Sequence, residues 1–179
     1  VEVGQKVALI GAGGIGFDVS ELLLHESVDP TPDPDHPSPD AFFRMWGVDT
    51  DLNRRGGVEG LAPNFPKSAR EIWLLQRKKS KLGASLGKTT GWIHRTSLKG
   101  HGVHLWSGVS YHKVDDAGLH IEKEGEAQIL EVDQVVICAG QESNSALMEP
   151  LRAMGMNPHL IGGANVAAEL DAKRAIDEG

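Results

Sequence analysis

The sequence is short of cysteine, of aromatic residues and of positive charge. A single cysteine in 179 residues, Cys138, excludes an internal disulfide framework. It equally excludes a cysteine-ligated zinc or iron–sulfur site held by this chain alone. Lys and Arg total 18 against 25 Asp and Glu, a net charge of −7, which argues against a general nucleic-acid binder. No apolar run approaches the ~18 residues that a membrane span needs. Residues 1–10 have neither a basic start nor a cleavable apolar core, so no secretory signal is expected there and the expected location is cytoplasmic. Catalytic signatures are missing as well. There is no G-x-S-x-G nucleophile elbow. The only tyrosine, Tyr111, is followed four residues later by Asp115, so the Tyr–Lys pair of short-chain dehydrogenases is absent. "GASLGKT", residues 83–89, has one residue too few between its glycines for a P-loop, and no strand leads into it. His101 and His104 lack a third ligand at metal-binding spacing. No catalytic residue and no metal site are expected.

What remains is 40% apolar and 24% charged, the composition of one globular domain or of one domain plus a fragment of another. "KVALI", residues 6–10, is apolar on both faces, as a central parallel strand should be. A helix is expected over 14–24, with Ile15, Val19, Leu22 and Leu23 along one side. The segment 25–69 changes character: five of the nine prolines lie between Pro30 and Pro39, which makes it a long surface insertion. Within it, residues 40–48 suggest a short helix laying Phe42, Phe43 and Trp46 onto the body. Strand character returns at 71–77, a glycine-ended helix at 91–102 and a third strand at 103–106. Three short segments separated by "DDAG" and "EGE" then predict an antiparallel meander. "QVVICAG", residues 134–140, reads as a further buried strand with Cys138 as inert core, and the chain closes on an expected strand and helix over 159–176. The order predicts an α/β fold: a Rossmann-like, three-layer parallel sheet with helices on both faces and a small antiparallel β-meander.

The first strand runs into "GAGGIG", Gly11, Ala12, Gly13, Gly14, Ile15 and Gly16, which satisfies G-x-G-x-x-G. Gly11 permits the tight turn, Gly13 lets backbone approach a pyrophosphate, and Gly16 lets helix and strand pack closely. Placed between a strand and an amphipathic helix, the motif points to dinucleotide binding. Two readings stand for Asp18, in what is expected to be the first helical turn: it faces the nicotinamide end of the cofactor, or it favours the helix dipole.

An Asp or Glu about 20 residues on would bind the adenosine ribose. Here that position falls in the proline-rich insertion, so the end of the second strand lies after Leu75 instead. There the sequence reads "QRKKSK", with no carboxylate and with Arg77 and Lys78 leading a cationic run. Such a run can be a solvated basic patch. At a strand end, however, a guanidinium fork suits a ribose 2′-phosphate, which an acid would repel. The expected cofactor is NADP(H), with Arg77 the first phosphate contact and Lys78 the second.

"IGAGGIGFDV", "LQRKKSKLGASLGKTTGWIHRTSL", "GVSYHKVDDAGLHI", "VVICAGQESN" and "HLIGGANVAAELDAKRAI" together resemble the C-terminal part of bacterial NADPH-dependent 2,4-dienoyl-CoA reductases. The likeness is weakest in the proline-rich insertion. It implies a larger enzyme of unsaturated fatty-acid β-oxidation, in which FAD, an iron–sulfur cluster and FMN sit on other domains. Residues 1–158 would form the NADP(H)-binding domain, and 159–179 would return to the FAD-binding domain. Partners would be that domain and an FMN-binding barrel. The resemblance also assigns Ala139 and Gly140, in the small-residue turn after Cys138, to the cofactor. Gly163 stands where related flavoproteins carry an FAD-binding Asp, so helix N–H groups would serve there instead. The Val1 start, with strand-like sequence following within five residues, suggests a domain cut from a longer protein; signal removal or tag trimming would leave the same start. A competing reading is a non-catalytic NADP(H)-sensing domain whose basic patch meets a regulatory partner.

Overall fold

The computed structural model describes residues 2–24, 38–168 and 172–179. In chain order the elements begin with β1 (Lys6–Ile10), α1 (Gly14–Leu24), α2 (Pro39–Met45), β2 (Glu71–Leu75), α3 (Gly91–His101) and β3 (His104–Trp106). They continue with β4 (Val109–Asp115), β5 (Gly118–Lys123), β6 (Glu126–Leu130), β7 (Gln134–Ile137), α4 (Met148–Ala153) and α5 (Ala172–Glu178). Strands β3-β2-β1-β7 form a parallel sheet in that order, and β4-β5-β6 form a separate antiparallel sheet. Among the described residues no helix is long and apolar enough to cross a membrane. Two compact units result, Val1–Ala139 and Gly140–Gly179.

The period of two along β1 and β2 sorts their side chains into two cores. Val7, Leu9, Ile72 and Leu74 face α1 and α3, where Phe17, Leu23, Leu24 and Leu98 meet them. Ala8, Trp73 and Leu75 face the other way and are covered by Val109, Leu119, Ile121 and Leu130 of the antiparallel sheet. The expected α/β class, parallel sheet and meander are all present. The second face, where helices were expected, is roofed in the first unit by the meander, which turns Val109, Leu119, Ile121 and Leu130 inward.

Several local expectations are corrected. In α1 the face turned to the sheet is Gly16, Phe17, Ser20, Leu23 and Leu24, while Ile15 is 55% and Leu22 74% exposed. Small residues set this contact, and the buried Ser20 hydroxyl is satisfied by donating to the Gly16 carbonyl at 2.7 Å. Of the expected stripe, Leu23 is in the core and Val19 packs against it, while Ile15 and Leu22 turn outward. The second strand stops at Leu75 and not at 77. β7 is half-buried and ends on Ile137, 74% exposed, because it pairs only with β1 at the sheet edge.

The insertion is partly ordered. The proline-rich expectation for 25–37 lies outside the described residues. From Ser38 the chain is regular: the Ser38 hydroxyl accepts the Ala41 N–H at 3.2 Å, and Pro39 opens α2. Phe42 and Phe43 stay exposed, so Trp46 alone of the three makes the expected contact, edge-on to Phe65 at 4.9 Å and Trp92 of α3 at 6.3 Å.

The second unit differs most from expectation. No strand forms over 159–164; Gly162–Ala164 is a short 3₁₀ turn, and the last helix begins at Ala172. The unit is tied internally: Ser143 Oγ accepts the Ala167 N–H at 2.8 Å, and Arg174 donates to the carbonyls of Gly162 and Val166. The bond between Ser143 and Ala167 joins residues on the two sides of the 158/159 boundary expected from sequence, and both lie in the compact unit that begins at Gly140.

The two-sided core makes a simple expectation. Ile121→Ala should destabilise the chain by about 2–5 kcal/mol, whereas Leu22→Ala should change stability by less than about 0.5 kcal/mol. Urea unfolding of both variants checks it, and a large loss at Leu22 would contradict the assignment of the α1 faces.

Candidate functional site

Parallel pairing brings the carboxyl ends of four strands to one edge: Ile10 lies beside Leu75 and Ile137, and Leu75 beside Trp106. In open α/β sheets this edge is where ligands bind. Gly11 leaves β1 at φ +116°, donating its N–H to the Leu75 carbonyl at 2.9 Å. A Cβ there would stand 2.6 Å from the Cys138 carbonyl oxygen and 2.9 Å from the Ala139 Cβ. The chain thus turns in a space closed by the strand next door. Gly16 is tighter still, since its Cβ would lie 1.8 Å from the Gly11 carbonyl oxygen.

Gly13 and Gly14 contrast with these. A Cβ on either would meet nothing within 4 Å. Among the described residues nothing requires a glycine at these two positions, and the bare backbone at the start of α1 is turned toward space that they leave open. That is the geometry of an anion cradle: exposed N–H groups at a helix N-terminus with no side chain in the way. The residues present fit a dinucleotide pyrophosphate. Ala12 is buried beneath the loop, and Ile15 projects outward beside it. Asp18 is exposed and lies past the first turn of α1, which holds no acid. The dipole effect fades within that turn, so the dipole reading of Asp18 loses its ground.

Arg77 and Lys78 follow β2 at the same edge. The turn that carries them is built by Gln76, whose side-chain amide donates to the carbonyls of Lys78 (3.0 Å) and Ser80. The start of β4 closes it from the far side: Gly108 donates to Lys78 O and Val109 to Gln76 O, each at 3.0 Å. Both cationic side chains are exposed, and no ion pair to either is present among the described residues. Ala139 abuts the Gly11 turn. Gly140, at φ +87°, begins the second unit and is described only there.

Other titratable groups have structural partners. His101 bonds the Ser97 carbonyl at 2.9 Å and packs on Phe65, and His104 stacks on Trp73. Gly83 of "GASLGKT" sits in a turn against Phe17, its carbonyl accepting from Arg95 at 3.0 Å. Cys138 is half-buried just beyond β7, packed against the α1/α3 core; burial pushes its thiol pKa up. Tyr111 is different. Burial pushes its phenol up to about 12, while the positive charge of Arg77 pulls the other way. Gln76, Gly108 and Tyr111 were not legible as site residues, because a Gln after a strand and a tyrosine in a meander carry no motif.

No family model matches the chain. Among solved structures it is similar to a 2-naphthoyl-CoA reductase in complex with 2-naphthoyl-CoA, with TM-score 0.60 and 18% identity, covering 99% of this chain and 20% of that one. It is also similar to a histamine dehydrogenase from Rhizobium sp. 4-9, with TM-score 0.61 and 12% identity, covering 98% of this chain and 22% of that one. The likeness is one of fold. This chain therefore has a Rossmann-like α/β architecture and spans about a fifth of the length of either relative.

The two kinds of glycine separate in a mutational test. Gly16→Ala must displace the Gly11 carbonyl and should cost about 1–3 kcal/mol or more. Gly13→Ala should leave stability within about 1 kcal/mol of the parent. Thermal unfolding reads both, and equal losses would contradict the open geometry at Gly13.

Proposed function

We propose that this chain is the NADP(H)-binding domain of a larger flavin-dependent oxidoreductase of the 2,4-dienoyl-CoA reductase kind. The observation that carries the reading is one sheet edge holding both the open Gly13–Gly14 backbone and the cationic Arg77–Lys78 turn. The first N–H groups of α1 would hold the pyrophosphate. Arg77 would present its planar fork to the 2′-phosphate, with Lys78 as a second cation. Ala139 and Gly140 would lie along the cofactor on the β7 side, and exposed Asp18 toward its nicotinamide end. When bound, NADPH supplies a hydride, for which FAD on another domain is the proposed acceptor, with an iron–sulfur cluster and FMN beyond it and a dienoyl-CoA as final substrate.

The chain's own part is binding, orientation and selection of NADP(H) over NAD(H). Two features favour a role within a larger enzyme. The second unit leaves the side chains of Leu147, Met154, Ile161, Val166 and Ile176 exposed, apolar groups that an adjoining FAD-binding domain would cover. A CoA-ester reductase is among the proteins of similar fold, and there too this length of chain is a fraction of the whole.

Calorimetric titration with NADP⁺ and NAD⁺ in one buffer tests the reading. A preference for NADP⁺ is expected, and equal affinity for both would remove the phosphate assignment. Arg77→Glu should weaken NADP⁺ binding roughly ten- to hundredfold, as expected for loss of a hydrogen-bonded charge contact, and leave NAD⁺ binding nearly unchanged. Equal losses for the two nucleotides would refute the role given to Arg77.

A further inference from the structure

Tyr111 carries the one buried side-chain polar atom that has no hydrogen-bond partner among the described residues, its phenolic oxygen. Buried hydroxyls are ordinarily satisfied, and leaving one unmade is costly. The residue sits two places after Val109, so both project from the same face of β4 into the core between the sheets. There Tyr111 packs against the same core cluster as Ile10 and Trp106, the last residues of β1 and β3. Val109 in turn is bonded to Gln76, and Gly108 to Lys78, so β4 begins by bracketing Arg77. The strand that carries this unpartnered acceptor thus begins against the turn that carries Arg77, whose guanidinium makes no hydrogen bond or ion pair among the described residues. The Arg77 charge already acts on the phenol.

We infer that Tyr111 is a positioning residue for Arg77: its phenolic oxygen accepts one guanidinium N–H and turns the rest of the fork toward a phosphate monoester at the sheet edge. The inference rests on the proposed NADP(H) site for the identity of that monoester, the ribose 2′-phosphate. The chemistry is complementary, since a phenol oxygen can accept where Arg can only donate, and a guanidinium has donors to spare after engaging two phosphate oxygens. An unanchored arginine on an exposed turn loses its rotamer freedom on binding; a bond to Tyr111, made as the phosphate orders the fork, offsets part of that cost. Selectivity for the phosphorylated nucleotide is then set partly from the second sheet.

Tyr111→Phe tests this, read by titration with NADP⁺ and NAD⁺ and by thermal unfolding. Loss of one neutral acceptor to a charged donor should weaken NADP⁺ about three- to tenfold while NAD⁺ affinity stays the same. The melting temperature should hold or rise, because the variant removes a hydroxyl that has no partner in the free chain. In an Arg77→Met background the same substitution should add no further loss. A parent chain that prefers NADP⁺ with a Tyr111→Phe variant that keeps the full preference overturns the inference and leaves the proposed function standing. A parent that binds both nucleotides equally, or neither, counts against the proposed function; the pair is then read directly. Tyr111 is the only tyrosine, so the tyrosine Fermi doublet in the Raman spectrum reports this hydroxyl alone. A doublet that changes when inorganic phosphate is added to the parent but not when it is added to Arg77→Met upholds the pairing, and one that phosphate leaves identical in both overturns it.

Discussion

The close seating of α1 on β1 is the constraint from which the rest of the molecule follows. Gly16 rests against the Gly11 carbonyl, and no side chain larger than hydrogen fits between them. That contact fixes the direction in which α1 leaves the sheet and turns Phe17, Ser20 and Leu23 inward. The same contact aims the first amides of α1 outward, past Gly13 and Gly14, at the carboxyl edge. A packing requirement and a binding geometry are therefore met by one turn of chain. Gly11 and Gly16 serve the packing, and the two glycines between them are left over for something outside it.

The second sheet makes the parallel sheet a true interior. Ala8, Trp73 and Leu75 are apolar because Leu119, Ile121 and Val109 cover them, as Val7 and Leu9 are apolar because Phe17 and Leu98 do. This roof does more than exclude water. Its first strand is bonded to the Gln76–Lys78 turn, so the cationic turn is braced from two sides and not left as a free loop. The mixture of layers thus shapes the carboxyl edge as well as the core.

By contrast the Gly140–Gly179 unit holds together through polar groups. Arg174, Glu178 and Ser143 bond backbone across the unit, and its helices α4 and α5 bury no residue. Hydrogen bonds net little in water, while buried apolar area supplies most folding free energy. Such a unit gains from an apolar surface laid against it, which accords with the proposed place in a larger flavin enzyme.

How much of this was legible depends on the length scale of the cause. Short-range rules settled the strand at 6–10, the glycine turn, the helix ending at Gly102 and the three meander strands, because periodicity and turn chemistry act within a few residues. They also placed Arg77 and Lys78 at a strand end by counting past the insertion. They failed where the deciding partner is remote in sequence. Ile15 and Leu22 look like core, yet the face of α1 is chosen by how closely Gly16 meets Gly11. Residues 159–164 look like a strand, but an isolated apolar run becomes one only beside a sheet edge, and here Gly162 is bonded by Arg174 and Glu178 instead. Sequence alone determined the fold class and the sign of the charge at the carboxyl edge, since both are written in local pattern. Which segments stand together there, the Gly13–Gly14 backbone with the Arg77–Lys78 turn and that turn with the start of β4, was decided only by the parallel pairing of β1 with β2 and the docking of a second sheet beneath them, because contacts between distant segments exist only once the chain has folded.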